Sequence, residues 1–140
     1  MRGISAAIVM ALALTWCAAD AAAQKRGGDP KLAAVKNPVS ATAASVKAGQ
    51  QAYSKNCRHC HGLRGRGDGP LAPKNPSPAD LTDAKWDWGA SDGEIFALIM
   101  NGVPAPMSEM KAMKGTLSDR DVWNIVNFLR SIGPKGAKKS

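Results

Sequence analysis

The sequence predicts a small all-α fold from two kinds of observation. Two segments start with a serine and carry an acidic residue three positions later, at Ser91–Glu94 and Ser118–Asp121, which is the pattern of a helix N-terminal cap. Apolar residues then recur at helical spacing, and Trp123 and Phe128 flank the strongest such stripe and are expected to contact the first helix. That stripe is formed by Val122, Ile125, Val126, Leu129 and Ile132. With 140 residues, there is room for one domain of modest size.

The chain begins like a secretory signal peptide. Arg2 precedes an apolar run over residues 4–16, and three alanines at 21–23 form a small-residue cleavage site. The run is too short to span a bilayer comfortably, and the bulky residue before Cys17 argues against a lipoprotein. We therefore expect residues 1–23 to be removed on export to the periplasm, which leaves no membrane span; an uncleaved membrane anchor is the alternative.

Composition divides the rest of the chain into a linker, a domain and a tail. Residues 24–44 are rich in Ala, Lys, Gly, Pro and Ser without an apolar period, which predicts a flexible linker. The domain is expected over residues 45–133, followed by a basic tail at 134–140. The net charge of +8 favours acidic protein partners or an anionic membrane surface. Nucleic acid is not expected as a partner, because the basic residues are scattered and have no aromatic side chains interleaved with them.

Three helices are expected within this domain. The first covers residues 45–56, and its Gly49 predicts the close approach of another helix, since glycine inside a helix costs about 1 kcal/mol relative to alanine. A glycine that is merely tolerated on a surface helix is the alternative. The middle helix runs from the Ser91 cap to Asn101, and the last helix ends at Gly133–Pro134.

The five residues Cys57–His61 carry the chemistry that the sequence predicts. They have the spacing C-x-x-C-H, which is the attachment signature of c-type haem. Two thiols on one helical turn can add across the two vinyl groups of a haem, and the histidine that follows can then ligate the iron. The spacing therefore predicts covalent attachment through Cys57 and Cys60, with His61 as the proximal ligand.

A redox dithiol, a disulfide or half of a zinc site is the alternative interpretation of the two cysteines. A thioredoxin-like dithiol requires a βαβ context, which the flanking sequence does not have. A structural zinc site requires four good ligands, and outside the motif the chain has no histidine and only Cys17. Haem attachment therefore agrees better with the sequence than these alternatives.

Residues on both sides of the motif carry a resemblance to a known family. Gly62 follows the motif, a glycine-rich stretch continues to Pro70, and Pro78-Ala79-Asp80-Leu81 and a helix from Leu117 to Ser131 complete the pattern. Over residues 45–133, the chain resembles a class I, single-haem bacterial cytochrome c. The resemblance implies a small cytochrome c fold, in which helices pack around one covalently bound haem c and the N- and C-terminal helices cross. It also implies electron transfer.

The same resemblance implies how the His61 ring is held. A ligating histidine normally donates its other ring N–H to a carbonyl, which fixes the ring plane. In the resembling proteins this carbonyl lies in the proline-containing loop, and Pro70 is the candidate here.

Three methionines are candidates for the distal ligand of the iron. Met107, Met110 and Met113 lie in a proline-containing stretch, whereas His59 sits inside the attachment turn and cannot reach the opposite face of the haem. Methionine ligation raises the reduction potential. In the resembling proteins the ligand lies about seven residues before the leucine that opens the last helix, and Met110 has this spacing to Leu117. Met107 is the alternate ligand, after a family-like Gly-Val-Pro-Ala-Pro, and Met113 is the third candidate.

These expectations favour electron transfer over catalysis. With both axial positions of the iron filled, no site remains open to a substrate, so no catalytic residue is assigned and the protein is not expected to be an enzyme. We expect a periplasmic electron carrier, free or as a small subunit of an oxidoreductase, with redox proteins of acidic docking surface as partners. A haem enzyme or ligand sensor with a dissociable distal methionine is the alternative function, and a haem-free metal-binding module is a third hypothesis.

Overall fold

The computed structural model describes residues 28–134 and contains helices joined by loops. The helices described in this range are α1 (Pro30–Ala33), α2 (Ala43–Asn56), α3 (Arg58–His61), α4 (Asp92–Asn101) and α5 (Asp119–Ile132). Between residues 28 and 134 the β-type pairing is one isolated bridge, Lys114–Leu117, and the predicted all-α class is confirmed. No helix in this described range is long and apolar enough to cross a membrane. The predicted signal peptide at 1–23 and the tail beyond residue 134 lie outside the described residues.

The core is built where α2 and α5 meet. A β-carbon at Gly49 would overlap the carbonyl oxygen of Asn124 in α5, so only glycine permits this approach. One turn later in α2, the ring of Tyr53 lies 5.2 Å from the ring of Phe128. The helix α5 is buried continuously over residues 122–129. The close approach predicted from Gly49 is therefore confirmed, as is the contact of Phe128 with the first helix.

Polar side chains between α2 and α5 are hydrogen-bonded to one another. The Ser45 hydroxyl donates to the Asn124 side-chain oxygen at 2.6 Å. The Asn127 side-chain amide donates to the Ser45 hydroxyl oxygen at 2.8 Å and to the Val39 carbonyl at 2.9 Å. A buried polar group without such a partner would cost about 1–3 kcal/mol. These bonds therefore favour one relative placement of the two helices over others.

The middle helix begins and ends where the sequence predicts. Ser91 and Glu94 form the capping box, and the helix ends at Asn101. The ring of Phe96 stacks on Trp123 of α5, with centroids 4.1 Å apart and planes inclined by 16°. The aromatic ring of Trp123 thus joins α5 to α4, and its expected contact with the first helix stays a prediction.

The last helix is also bounded as predicted. Ser118 and Asp121 form its capping box, and Gly133 follows its last residue. Near the C-terminal end of α5, Nε of Arg130 donates to the carboxylate of Asp92 at 2.8 Å, which ties α5 to the start of α4.

The described part of the segment before α2 is hydrogen-bonded to the domain. Thr42 caps α2, so the helix begins two residues earlier than predicted. The Asp29 N–H donates to the carboxylate of Glu94 at 2.9 Å, and the Asn37 side-chain amide donates to the Trp123 carbonyl at 3.1 Å. From residue 28 onward, the segment predicted as a linker therefore lies against α4 and α5. These hydrogen bonds are made by backbone and short polar groups, and Val39 also packs against the core.

Candidate cofactor site

Both cysteines and the histidine of the motif lie on one helical turn that continues from α2. The Cys57 N–H donates to the Tyr53 carbonyl at 2.8 Å. The Cys57 carbonyl in turn accepts from the N–H groups of Cys60 at 3.2 Å and His61 at 3.0 Å. Neither cysteine forms a disulfide, and both are half-buried. The structure thus brings three of the predicted site residues together, with two free thiols one turn apart.

A backbone carbonyl orients the imidazole ring of His61. Its Nδ1 lies 3.3 Å from the Ala79 carbonyl oxygen. A neutral ring with its proton on Nδ1 donates to this carbonyl and leaves Nε2 for a metal. Burial lowers the pKa of His61 from its ordinary value, and the bond to Ala79 offsets part of this shift. Burial therefore favours the neutral imidazole, which is the form that ligates metal ions.

The prediction that the Pro70 carbonyl accepts from His61 is corrected by the path of the glycine-rich loop. The Gly69 N–H donates to the Cys60 carbonyl at 3.0 Å. A β-carbon at Gly69 would overlap the His59 carbonyl oxygen, so this glycine allows the loop to lie directly against the attachment turn. This contact holds the residues around Pro70 at the backbone of the turn rather than at the ring of His61.

A second close contact brings Ala79 to the ring instead. The Gly67 backbone has φ +75° and approaches the Pro78 carbonyl so closely that a β-carbon would overlap it. The Leu81 N–H donates to the Gly65 carbonyl at 2.6 Å, which fixes the same segment three residues after Pro78. The segment 78–81 therefore runs alongside the glycine-rich loop, with Ala79 facing the imidazole.

The protonation of the cysteines bears on what the site can hold. Burial, and then the neighbouring Cys60, raises the pKa of Cys57 to about 12. In the metal-free protein the Cys57 thiol therefore keeps its proton. In the part of the chain that the structure describes, no group of three or more His, Cys, Asp or Glu side chains could hold a metal ion. Two thiols and one neutral imidazole are instead the groups that covalent attachment and proximal ligation of a haem require.

The three candidate methionines lie in different environments. Met107 is 38% exposed, whereas Met110 and Met113 are half-buried and contact the core. Two hydrogen bonds fix the backbone of Met110: its carbonyl accepts from the Val103 N–H at 2.9 Å, and its N–H donates to the Ser108 hydroxyl oxygen at 3.1 Å. The structure thus separates one surface methionine from two that are directed towards the core.

Comparison with known proteins assigns the domain that contains this site. A family model described as cytochrome c oxidase, cbb3-type, subunit III matches residues 44–129. The chain belongs to this cytochrome c family. Its family membership supports haem-based electron transfer and implies covalently bound haem c. The two thiols and the oriented imidazole fit that group.

A curated relative is considerably longer than this cytochrome. The cbb3-type cytochrome c oxidase subunit FixP of Azorhizobium caulinodans is 31% identical over 102 residues. The match covers 69% of this chain and 32% of FixP. The cytochrome thus spans about a third of the length of this relative.

Solved structures show the same fold. A chain of the reducing HAO-like protein complex of Kuenenia stuttgartiensis is similar with a TM-score of 0.62 and 27% identity, covering 71% of this chain and 50% of that chain. Cytochrome cL from Hyphomicrobium denitrificans is similar with a TM-score of 0.57 and 22% identity, covering 71% and 53%. The cytochrome spans about half of each chain, and the predicted small cytochrome c fold is confirmed.

Sequence reasoning missed two groups at this site. The Ala79 carbonyl could have been found, because Pro78–Ala79 belongs to the motif that carries the resemblance. The hydroxyl of Tyr53, which donates to the Gly62 carbonyl at 2.7 Å, was the second. The position of Tyr53 one helical turn before Cys57 was the signal that could have indicated it.

Proposed function

We propose that this cytochrome is a periplasmic carrier of single electrons with one haem c, attached through Cys57 and Cys60 and ligated by His61 and Met110. It acts as a free carrier or as a small subunit of an oxidoreductase and catalyses no bond chemistry itself. One observation carries the proposal: two free thiols and an imidazole with Nε2 available lie on a single helical turn of a cytochrome c domain.

The residues around His61 support its assignment as proximal ligand. Bound haem c supplies an iron that changes between the ferrous and ferric states by one electron. A carbonyl that accepts from the second ring nitrogen of a ligating histidine fixes the ring plane and raises the basicity of the ligand. The Ala79 carbonyl has this role towards His61.

Spacing and burial support Met110 as the distal ligand. Met110 has the seven-residue spacing to Leu117 and is half-buried, with its backbone fixed by two hydrogen bonds. The exposure of Met107 disfavours this alternate ligand. Met113 is also half-buried, but its N–H donates to the Ile99 carbonyl at 3.0 Å, which holds it at the end of α4. A thioether on the iron favours the ferrous state and raises the potential.

The charges near the attachment turn support an acidic protein partner. The whole chain has a net charge of +8. Residues 58–74 include a single acidic residue, Asp68, and their four lysine and arginine side chains are all exposed: Arg58, Arg64, Arg66 and Lys74. Opposite charge on a partner would steer the encounter towards this part of the surface and align the two proteins.

Two observations support the location and the assembly. Residues 1–23 have the composition of a secretory signal peptide, which supports export to the periplasm. The similar protein FixP is an oxidase subunit, and this cytochrome spans about a third of its length. This likeness supports a role as a small subunit in addition to that of a free carrier.

Optical spectra of the purified protein, oxidised and reduced, test the proposed function. We expect low-spin spectra in both states, together with haem that remains on the polypeptide in a denaturing gel. A high-spin ferric spectrum, or carbon monoxide binding by the native ferrous protein at neutral pH, would favour a haem enzyme or ligand sensor instead. A polypeptide without covalent haem would exclude both the electron carrier and the haem enzyme or ligand sensor.

A further inference from the structure

Tyr53 connects three parts of the molecule, and the function proposed above leaves its hydroxyl without a role. Tyr53 is 1% exposed, and its ring lies 5.2 Å from the ring of Phe128, with the two ring planes inclined by 53°. Its backbone carbonyl accepts from the Cys57 N–H at 2.8 Å. The ring contact explains an aromatic residue at this position but not a hydroxyl, because phenylalanine would fill the same space.

The hydroxyl donates to the carbonyl of Gly62, the residue directly after His61. The two oxygens are 2.7 Å apart and buried. Burial raises the pKa of Tyr53 above its ordinary value, with smaller contributions from Cys57 and Asp68, so the phenol keeps the proton that the bond requires. The Gly65 N–H also donates to this carbonyl, at the longer distance of 3.3 Å.

The backbone of Gly62 is held by its conformation, by a close contact and by hydrogen bonds. A displacement of its carbonyl would therefore also displace the backbone of His61. The Gly62 backbone has φ +79°, and a β-carbon would overlap the carboxylate of Asp68. Its N–H donates to the Arg58 carbonyl at 2.9 Å, while the His61 carbonyl accepts from the Gly67 N–H at 2.8 Å. The peptide groups before and after Gly62 are both hydrogen-bonded. These bonds fix the direction in which the backbone leaves the attachment turn.

We propose that the Tyr53 hydroxyl is a positioning group for the proximal ligand. By holding the Gly62 carbonyl, it keeps the backbone of His61 where the ring contacts the Ala79 carbonyl and presents Nε2 to the haem iron. This inference rests on the proposed function, because it takes His61 as the iron ligand. Without the hydroxyl, a buried carbonyl loses its short hydrogen bond, and the backbone after His61 gains freedom. The imidazole then binds the iron over a wider range of ring orientations.

The substitution Tyr53→Phe in the holoprotein tests the inference, because it keeps the ring and removes only the hydroxyl. We expect unchanged covalent haem content, since both cysteines remain. The midpoint potential is expected to shift, and the hyperfine-shifted NMR signals of the His61 ring are expected to move or broaden in the ferric protein. Amide exchange at Gly65 and Gly67 is expected to become several-fold faster, because the loop that they hold is loosened.

Two further proteins separate positioning from general stability. Phe128→Leu removes the ring that lies against Tyr53 but leaves the hydroxyl bond, so we expect a lower Tm with wild-type potential and His61 signals. Tyr53 is the only tyrosine in the chain, so biosynthetic incorporation of 3-fluorotyrosine alters this hydroxyl alone. Its more acidic hydroxyl is a stronger donor, and the potential should shift in the direction opposite to that of Tyr53→Phe.

The outcomes distinguish this inference from the proposed function. A Tyr53→Phe protein with a lower Tm but wild-type potential and His61 signals would overturn the positioning role and leave the carrier function intact. If Tyr53→Phe does not accumulate, an unchanged potential in the fluorotyrosine protein overturns the role equally. Absence of covalent haem from the wild-type protein would instead overturn the proposed function itself.

Discussion

The attachment turn and the methionine loop (residues 103–113) hold their candidate iron ligands in different ways. On the attachment turn, the His61 backbone is bonded to the Cys57 carbonyl and to the Gly67 N–H, and its ring meets the Ala79 carbonyl. In the methionine loop, the hydrogen bonds described for Met110 involve only its backbone. The histidine is therefore oriented at both backbone and ring, whereas the methionine sulfur is positioned through packing. This difference indicates that the distal ligand is the easier one to lose.

The methionine loop depends on α4 for its position. The Met113 N–H donates to the Ile99 carbonyl at 3.0 Å, and the Lys114 N–H donates to the Met100 carbonyl at 3.1 Å. The start of α4 is fixed in turn by the Glu94 carboxylate, which accepts from the Asp29 N–H. The candidate distal ligand Met110 thus lies in a loop placed by a helix remote in sequence from the attachment turn, and the segment before α2 supports that helix.

Loss of both cysteines should have the largest effect. The double substitution of Cys57→Ala and Cys60→Ala removes both thioether bonds, so we expect no covalent haem and a largely unfolded polypeptide. Haem staining on a denaturing gel and circular dichroism measure the two effects. Cys17→Ala is the matched control and should leave haem attachment unchanged, since Cys17 lies within the predicted signal peptide. A double variant that is folded and helical without haem would contradict this account of the core.

Loss of the distal sulfur should have the next largest effect and should leave the attachment turn intact. A thioether on low-spin ferric haem gives a weak near-infrared charge-transfer band. Met110→Leu keeps apolar volume but removes the sulfur, so we expect the band to disappear, the potential to fall and azide to bind. Met107→Leu is the matched control and should keep the band. The reverse result, with the band lost only in Met107→Leu, would assign the ligand to Met107.

Features that depend on neighbouring residues could be predicted from the sequence, whereas hydrogen bonds between distant parts of the chain could not. The attachment motif, the capping boxes of α4 and α5 and the close approach at Gly49 depend on neighbours in sequence or on one residue type, and the structure has these features where expected. The bond from the Asp29 N–H to the Glu94 carboxylate and the bond from the Met113 N–H to the Ile99 carbonyl could not be predicted in this way. Backbone groups carry no residue signature, so bonds that join them across the chain become visible only in the folded structure.

A pair of glycine substitutions compares the two regions directly. A β-carbon at Gly69 would overlap the carbonyl oxygens of His59 and Arg58, so Gly69→Ala should destabilise the folded holoprotein by about 1–3 kcal/mol. Nothing lies within 4 Å of a β-carbon at Gly115, beyond the methionine loop, but its φ of +83° disfavours alanine. Gly115→Ala should therefore cost only about 1–2 kcal/mol, through its backbone conformation. Denaturant unfolding of the two variants measures both costs.

The outcome of this pair also tests the cause of each cost. At Gly69, φ lies outside the left-handed region, so the expected loss comes from contact with the attachment turn alone. Gly69→Ala should therefore also alter the His61 NMR signals, whereas Gly115→Ala should leave them unchanged. Equal stability of Gly69→Ala and the wild-type protein would mean that the glycine-rich loop is not held against the attachment turn as described.

The smallest expected effect concerns the charges that surround the two regions. Arg64, near the attachment turn, and Lys111, in the methionine loop, are both exposed. If an acidic partner docks at the attachment turn, Arg64→Glu should slow the second-order electron-transfer rate at low salt by roughly tenfold or less, and Lys111→Glu should slow it less. The attraction is screened beyond a Debye length of about 8 Å at physiological salt, so the difference between the variants should shrink as salt is added. Stopped-flow measurements against an acidic redox protein over a range of ionic strength test this expectation. A wild-type rate that is flat or rises with salt would mean that docking is apolar, and equal slowing by both variants would mean that the net charge acts without a preferred region.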